Sequence, residues 1–292
     1  FYKGIMKIGI IGYGQMGSGA AYNLNKKHDL FIYDKFKSDS HGIKSFCTVE
    51  KIFSNCQITF SFLPNDKILI NAHENKSNGI LNYLKKNDIH ISCSTVSPET
   101  SKKLEKIYSE KKAFFISAPI FARPDGMKNK QAIIPISGKY KIYQKIKPII
   151  ESFSTSHTFV GEEIGNANVI KLCGNFLICN AIQSISEALL TADEHGLERL
   201  TVIRFLSSSI FDCLIYKGYG DRVAAFDHDP HANAHFPLSL GKKDINLFKS
   251  ISNKSKNNYP FLDSLLKNFK SATKKGNGHL DWSAISLENQ KL

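Results

Sequence analysis

The sequence lacks a long apolar run, which bears on membrane and secreted proteins. No apolar stretch among the 292 residues reaches the roughly eighteen that a membrane-spanning helix needs. The opening segment, FYKGIMKIGIIG, contains no apolar stretch that ends at a small-residue cleavage site. We therefore expect neither a membrane association nor a signal peptide, and we assign no role in the fold to the residues before Met6.

Paired cysteines are also absent. The 6 cysteines form no CxxC motif and no repeated spacing, so the sequence predicts neither a disulfide framework nor a metal site. A cytoplasmic location, where thiols stay reduced, is the simplest expectation. The stretch FDHDPHANAH at 226–235 suggests metal ligands, but no neighbouring segment imposes a ligand geometry. We interpret it as a polar loop between two helices.

Acidic residues are scarce relative to basic ones. The chain has 26 Asp and Glu against 39 Lys and Arg, a formal net charge of +13. A surplus of this sign is found in nucleic-acid-binding proteins. Here, however, the lysines are spread in pairs, mostly near predicted helix ends, instead of forming one cluster. We interpret them as a solvated surface that attracts anionic metabolites, and we do not expect a nucleic-acid partner.

Short apolar runs are present and alternate with helical patterns from residue 7 to about residue 160. Runs this short and this apolar are typical of strands buried on both faces of a parallel sheet. The sequence therefore predicts a doubly wound α/β domain over residues 1–164. The predicted strands are KIGIIG, LFIYD, QITFSFL, IHISCST, AFFISAP, AIIPISG and HTFVG.

Strand patterns stop after Gly165. One helical pattern covers 166–194 and ends at His195-Gly196, where glycine can serve as a C-cap. Its apolar residues span so wide an arc that we predict a long interdomain helix. We therefore predict a second, all-α domain over 165–292 that begins with this helix. Further helices are predicted at 198–209, 211–225, 240–255, 259–274 and 281–290.

A glycine-rich turn follows the first predicted strand. Gly12, Gly14 and Gly17 have the G-x-G-x-x-G spacing and open a predicted helix. In such a turn the first glycine permits the tight bend, the second lets the backbone approach a pyrophosphate, and the third allows close helix–strand packing. The pyrophosphate is then bound by the N–H groups at the helix N-terminus. This context predicts a Rossmann-type dinucleotide site.

An acidic residue ends the second predicted strand. Asp34 lies twenty-two residues after Gly12, where a carboxylate can accept hydrogen bonds from both ribose hydroxyls and would repel a 2′-phosphate. This favours NAD over NADP. Lys35 and Lys37 follow directly and can offset the repulsion, so NADP stays open.

Five separated motifs complete the pattern. They are IGYGQMGSGAAYNL (11–24), FLPND (62–66), STVSP (94–98), GNANVIKLCGNF (165–176) and LGKKDINL (240–247). In this order they resemble the β-hydroxyacid dehydrogenase family, which includes 3-hydroxyisobutyrate dehydrogenase and the glyoxylate and succinic semialdehyde reductases and is related to 6-phosphogluconate dehydrogenase. The resemblance covers nearly the whole chain.

The resemblance implies an NAD(P)-dependent 3-hydroxyacid dehydrogenase or aldehyde reductase that assembles as a homodimer or homotetramer through its helical domains. It places Lys171 at the catalytic lysine and Asn175 at the substrate-binding asparagine. Ser94 and Lys243 are further implied substrate contacts. The implied cofactor-binding residues are Gly12, Tyr13, Gly14, Gln15, Met16, Gly17, Asp34, Leu63, Pro64, Asn65, Thr95 and Lys243.

One motif departs from the family pattern. The family usually has Ser-Gly-Gly in the loop that binds the substrate anion, whereas this chain has Phe121, Ala122 and Arg123. Two glycines that let backbone amides approach a carboxylate are therefore lost. An arginine that can bind a carboxylate or phosphate through two hydrogen bonds stands nearby instead. We expect Arg123 to favour an anionic substrate and Phe121 to shape selectivity, although Arg123 can also belong to a loop without ligand contact.

The residue types fit proton transfer during carbonyl reduction. A lysine can donate or accept the proton if burial lowers its pKa towards neutrality, and Lys171 lies in an otherwise apolar segment. Asn175, four residues later, lies on the same helix face, where its amide can hold a substrate oxygen. A lysine that only extends from a buried helix to solvent is the ordinary alternative.

Two other functions stay open at this level. Imine reductases resemble this architecture, but those enzymes generally lack the lysine at this position. A non-catalytic member of the fold that binds nucleotides or nucleic acid would explain the charge, but it would not need both Lys171 and Asn175.

Overall fold

The computed structural model describes residues 4–37, 46–229, 231, 236–252 and 257–290. The chain divides into two compact units, Phe1–Lys171 and Leu172–Leu292, which we call the N-terminal and C-terminal units. The predicted boundary lay at 164/165, where the long helix begins, whereas this division lies inside that helix. The first residues of the helix are bound to the N-terminal unit: the Ala167 N–H donates to Ser137 Oγ (3.2 Å) and Asn168 Nδ2 donates to the Val96 carbonyl (3.2 Å).

The N-terminal unit contains a five-stranded parallel sheet of order β2-β1-β3-β4-β5. Each strand begins and ends within three residues of the ends of a predicted apolar run, and the parallel α/β prediction is confirmed. Its strands are buried on both faces because Ile8 and Ile10 pack into one hydrophobic cluster and Ile11 into another. The strands are β1 Lys7–Ile11, β2 Asp29–Tyr33, β3 Ile58–Ser61, β4 Ile89–Ser92 and β5 Phe114–Ser117.

Six helices connect these strands or follow them. Residues of α1 and α6 pack into the first cluster and residues of α2, α3 and α4 into the second, so helices cover both faces of the sheet. This is the doubly wound arrangement that the alternating pattern predicted. The helices are α1 Gln15–Leu24, α2 Val49–Asn55, α3 Asp66–Glu74, α4 Pro98–Glu110, α5 Pro124–Lys128 and α6 Tyr140–Ile150, with a short 3₁₀ turn at Ile80–Asn82.

The last two predicted strands form a separate parallel pair, β6 Ala132–Ile136 and β7 Ser154–Phe159. Antiparallel bridges link Ser117 with Ser137 and Phe121 with Ile133. The expected burial on both faces does not hold for β7, whose residues are partly or fully exposed. Within the described residues β7 pairs with β6 alone, so it is an edge strand.

The C-terminal unit is helical, as predicted. The long helix α7, Asn166–Glu194, ends before Gly196, whose φ of +74° is the left-handed conformation expected of a glycine C-cap. The segment predicted as a helix at 281–290 is a 3₁₀ helix. Trp282 is 3% exposed and its indole donates to the Tyr219 hydroxyl. The other elements are α8 Arg199–Ser207, α9 Leu214–Ala224, α10 Leu238–Ser252, α11 Pro260–Lys274 and the 3₁₀ helices Asn277–His279 and Trp282–Asn289.

Helix α7 is long and apolar enough, by length and composition, to cross a membrane. The sequence analysis did not predict a helix of this kind, because uncharged polar residues such as Asn175 and Asn180 interrupt each apolar run. Few of the polar residues of the helix are charged. The finding is weak evidence, since a core helix passes the same test. Leu172, Cys179 and Ile182 of α7 are fully buried in the core of the C-terminal unit.

Candidate active site

The glycine loop between β1 and α1 has two glycines that its own backbone requires. Gly12 has φ +92°, and a Cβ there would collide with the carbonyl oxygen of Phe62. A Cβ at Gly17 would collide with the carbonyl oxygen of Gly12. Gly14 differs: a Cβ would meet no described atom within 4 Å. Packing therefore explains Gly12 and Gly17, whereas Gly14 leaves space open to a ligand.

The N-terminus of α1 fits the pyrophosphate of a dinucleotide. Gly14 is the N-cap residue, and the described first turn contains neither a capping side chain nor an acidic residue. Gln15 follows directly and is exposed, and Met16 is partly buried. The unsatisfied N–H groups and the positive end of the helix dipole both favour an anion at this point.

The carboxylate of Asp34 is fixed against the glycine loop. The Tyr13 N–H donates to Asp34 Oδ2 (2.6 Å) and the Phe36 N–H donates to Asp34 Oδ1 (2.8 Å). Lys37 Nζ donates to the Tyr13 carbonyl (2.9 Å), which brings a positive charge to the same loop. The sequence spacing therefore identified an acid that does reach the loop, as ribose recognition requires.

The loops after β3 and β4 are held together, as expected for neighbouring parallel strands that end at one edge of a sheet. The Leu63 N–H donates to Ser94 Oγ (2.9 Å), which links FLPND to STVSP. Asn65 caps α3, with its Oδ1 accepting from the Ile68 N–H (2.9 Å). The remaining candidates, Pro64 and Thr95, lie in the same two loops.

Asp66 is a second link between these loops, and the sequence reading missed it. Its Oδ1 accepts from the Ser97 N–H (2.9 Å), the Ser97 hydroxyl (2.7 Å) and the Thr100 hydroxyl (2.7 Å). Burial would raise the pKa of Asp66, but the hydrogen bonds from Thr100 and Ser97 outweigh it and lower the pKa. Ser97 followed by Pro98 is a helix N-cap pattern that can be recognised in the sequence. This pattern does not indicate that Asp66 accepts hydrogen bonds from Ser97.

The loop with the unusual Phe-Ala-Arg sequence is anchored on both sides. Phe121 exchanges two backbone hydrogen bonds with Ile133 (2.9 and 3.0 Å), and Arg123 is the N-cap residue of α5. Helix α5 packs on α1 so closely that a Cβ at Gly19 would lie 2.6 Å from that of Met127. Buried Asn23 of α1 donates to the Met127 carbonyl (2.9 Å) and so links α1, which follows the glycine loop, to α5. The sequence alone did not predict this hydrogen bond.

Lys171 is buried in the N-terminal unit beside Phe121. Its side chain belongs to α7, and the residue is 9% exposed. The ammonium nitrogen lies 4.0 Å from the centroid of the Phe121 ring, which is a cation–π contact. The lysine therefore does not simply extend to solvent, the ordinary alternative for a lysine on an apolar helix.

The C-terminal unit brings together Asn175, Asp244 and Lys243. Asn175 Nδ2 donates to Asp244 Oδ2 (2.6 Å), and Lys243 Nζ lies 2.9 Å from Asp244 Oδ1. Asp244 is 1% exposed, so its carboxylate is oriented by these partners within the unit. In the sequence Asp244 stood out only as part of the LGKKDINL segment, although its carboxylate links the two residues that we predicted as substrate contacts.

The histidine-rich stretch has a structural role in its described part. Buried His228 bonds through Nδ1 to the Ser283 hydroxyl (2.9 Å), and burial lowers its pKa to about 4. His231 is exposed, and His235 lies outside the described residues. Among residues with assigned positions, no group of three His, Cys, Asp or Glu side chains is suited to hold a metal.

Comparison with known proteins identifies the family. The model for the NAD binding domain of 6-phosphogluconate dehydrogenase matches residues 7–161. A second model, described as NAD-binding of NADP-dependent 3-hydroxyisobutyrate dehydrogenase, matches residues 165–287.

Two curated relatives match nearly end to end. The uncharacterized oxidoreductase YfjR of Bacillus subtilis is 32% identical over 286 residues, which is 96% of this chain and 98% of that protein. Mitochondrial 3-hydroxyisobutyrate dehydrogenase of Drosophila melanogaster is 26% identical over 291 residues, 97% of this chain and 89% of that protein.

Solved structures share the fold. A 3-hydroxyisobutyrate dehydrogenase (ygbJ) from Salmonella typhimurium has a TM-score of 0.84 at 17% identity and covers 97% of this chain and 99% of its own. An imine reductase from Myxococcus stipitatus in complex with NADP⁺ has a TM-score of 0.63 at 15% identity and covers 97% and 100%. Because two family models and a relative at 32% identity match almost the whole chain, this protein belongs to the β-hydroxyacid dehydrogenase family of NAD(P)-dependent oxidoreductases.

Proposed function

We propose that the protein interconverts a small, anionic carbonyl compound and the corresponding hydroxyacid, with NAD as the preferred cofactor and Lys171 as the general acid/base. The observation that carries this proposal is the buried position of Lys171, which is 9% exposed near the start of the long helix α7. Burying a lysine costs free energy that pairing of its charge must offset, so a lysine kept at a buried position indicates a purpose for its ammonium. Proton transfer to or from the reacting oxygen is such a purpose.

The residues of the glycine loop would hold the cofactor. Gly14 leaves room for a pyrophosphate, and the N-terminus of α1 supplies the N–H groups that bind it. When bound, a nicotinamide dinucleotide supplies a hydride to a carbonyl carbon or accepts one from an alcohol carbon. The Asp34 carboxylate, already fixed against the loop by the Tyr13 N–H, would accept hydrogen bonds from the ribose hydroxyls, which supports NAD over NADP.

Lys171 would donate the proton to the substrate oxygen or accept it from that oxygen. In the direction of reduction its ammonium donates the proton that turns the carbonyl oxygen into a hydroxyl. In the direction of oxidation its neutral amine accepts that proton. Asn175, one helical turn further along α7, lies on the same helix face and can position the oxygen.

Two cationic residues support an anionic substrate. Lys243 is held by the buried carboxylate of Asp244 at 2.9 Å, so its charge is positioned within the C-terminal unit. Arg123 stands in the loop where the family pattern has glycines, and a guanidinium can bind a carboxylate through two hydrogen bonds. Curated relatives named for hydroxyacid and semialdehyde substrates support the same class.

The test is turnover with a panel of carbonyl compounds. Oxidation of NADH and NADPH should be followed with glyoxylate, succinic semialdehyde, methylglyoxal and a cyclic imine. We expect turnover of at least one carboxylate-bearing aldehyde with NADH. Lys171→Ala should lower kcat about 100- to 10,000-fold, the usual contribution of a general acid.

A matched control is Lys106→Ala, which removes an exposed lysine from α4 and should leave turnover unchanged. If NADH and NADPH bind but no carbonyl compound is reduced, the proposed function is wrong. Turnover of the cyclic imine alone would indicate an imine reductase instead. Full activity in Lys171→Ala would remove the role of the lysine while leaving the reaction in place.

We further propose a homo-oligomer built through the C-terminal unit and a cytoplasmic location. A groove of about 490 Å³ in this unit is lined by α7, α9 and α11, and Leu177 and Phe261 on its walls are 66% and 70% exposed. A second copy of the chain would cover these side chains. All six cysteines are free, which supports a reducing compartment. Sedimentation analysis of the wild type and of Leu177→Asp tests the assembly.

A further inference from the structure

We propose that Phe121 is a positioning residue: the face of its ring holds the ammonium of Lys171 and keeps this lysine in the charged form that donates a proton. The inference rests on the proposed role of Lys171 and adds a residue that acts through it. It concerns a position where the chain departs from the family pattern, which has a small polar residue there instead of an aromatic ring.

The distance places the two groups in direct contact. Lys171 Nζ lies 4.0 Å from the centroid of the Phe121 ring, well inside the roughly 6 Å over which a ring quadrupole attracts a cation. Lys171 is 9% exposed, so water competes little for the ammonium. A cation–π contact is stronger when the cation is desolvated.

Both partners are on anchored segments. The backbone of Phe121 is paired with Ile133 in both directions, which fixes where its side chain begins. The start of α7 is held by the hydrogen bond from the Ala167 N–H to Ser137 and by that from Asn168 to the Val96 carbonyl. The contact therefore joins two segments whose backbones are both anchored within the N-terminal unit.

The ring and the burial act on Lys171 in opposite directions. Burial disfavours the ammonium, because a charge loses its hydration. The negative face of an aromatic ring favours the ammonium and offsets part of that cost. A leucine would fill a similar volume without a quadrupole, so it would remove the part of the offset that the ring supplies.

Other titratable groups also lie on the segments that adjoin Phe121 and Lys171. Arg123 is the N-cap residue of α5 and Asp125 lies in the first turn of that helix, and the two carry opposite charges. Cys93 after β4 and Cys173 on α7 have thiols whose pKa is raised by burial, so both are neutral near pH 7.

The experiment compares pH profiles of kcat/KM for aldehyde reduction by NADH, with succinic semialdehyde as the probe. Because reduction needs the charged lysine, the rate falls as the pH rises through the alkaline limb. Phe121→Leu should move this limb downward by between about 0.4 and 1.5 pH units, since cation–π contacts are worth roughly 0.5 to 2 kcal/mol. Phe121→Tyr retains the ring face and should leave the limb in place.

A limb that stays in place in Phe121→Leu would overturn the inference, while loss of activity in Lys171→Ala would show that the proposed function still stands. Retained activity in Lys171→Ala would instead refute the role of the lysine itself. The two failures are therefore distinguishable.

A second measurement needs neither turnover nor a leucine variant. Replacing Phe121 by phenylalanine analogues with increasing ring fluorination keeps the shape of the side chain and weakens its quadrupole stepwise. The pH midpoint for modification of Lys171 by an amine-reactive reagent, read by peptide mass spectrometry, should fall with each added fluorine. The exposed Lys106 in the same digest is the internal control. A midpoint that does not change across the series would contradict the inference.

Discussion

The substitution Gly14→Ala tests whether the glycine at this position is needed to bind the cofactor and not to fold the protein. Its backbone angles, φ −72° and ψ −165°, are open to alanine, and an added Cβ would meet no described atom within 4 Å. Replacing glycine at such a position reduces the freedom of the unfolded chain, which offsets the weaker capping by alanine. We therefore expect a melting temperature within about 3 °C of the wild type.

Binding of NADH should respond quite differently. The new methyl group would occupy the space through which a pyrophosphate approaches the N-terminus of α1. An extra methyl in a fitted site costs about 1 to 3 kcal/mol, so the Kd for NADH should rise roughly 5- to 150-fold. Titration of the NADH fluorescence, together with thermal unfolding of the same sample, measures both quantities.

Two further variants complete this experiment. Gly17→Ala should destabilise the fold, because its Cβ would collide with the carbonyl oxygen of Gly12. Gly278→Ala, whose nearest neighbouring atom would be 4.0 Å away, should change neither stability nor binding. If Gly14→Ala binds NADH as tightly as the wild type, this loop is not the pyrophosphate site and the assignment of the cofactor residues is wrong.

Two other predictions concern cofactor choice and acid stability. Asp34→Asn should improve the Kd for NADPH relative to that for NADH by about tenfold, because it removes a negative charge beside the 2′-phosphate. Asp29→Asn, at an exposed position, is the control. If the ratio of the Kd values for NADPH and NADH is the same in both variants, this reasoning is wrong. Burial lowers the pKa of His73 to about 4, whereas an unfolded histidine titrates near 6.5, so below pH 6.5 the unfolded chain binds protons that the folded chain does not. Stability should therefore fall as the pH drops from 6.5 towards 4, by about 2 kcal/mol at pH 5, measured by hydrogen exchange of β3 and β4; an equally steep fall in His73→Gln would refute the assignment to this residue.

The sequence was a good guide to elements and to the cofactor loop. Apolar runs mark strands because a strand buried on both faces can hold few polar residues. The distance from Gly12 to Asp34 is set by one helix and one strand of ordinary length, so the pairing of the loop with Asp34 could be read from spacing. The edge position of β7 was not predictable, because it depends on which strands pair.

Side-chain hydrogen bonds between distant segments could not be predicted from the sequence. Asp66 with Ser97 and Asn23 with Met127 each join residues that are separated by several elements. Nothing in the local pattern of an aspartate or an asparagine names its partner. The sequence therefore shows the residues that form these hydrogen bonds, but it does not show that they bond to each other.

By itself the sequence determined the α/β order, the glycine loop, the long helix and the presence of Lys171 in it. These features follow from short-range causes: hydrophobic periodicity, the steric freedom of glycine and helix capping. Only the tertiary structure decided that the ammonium of Lys171 lies against the ring of Phe121 and that Asp244 links Asn175 with Lys243. Those contacts depend on how separate segments pack, because packing brings together residues that are distant along the chain.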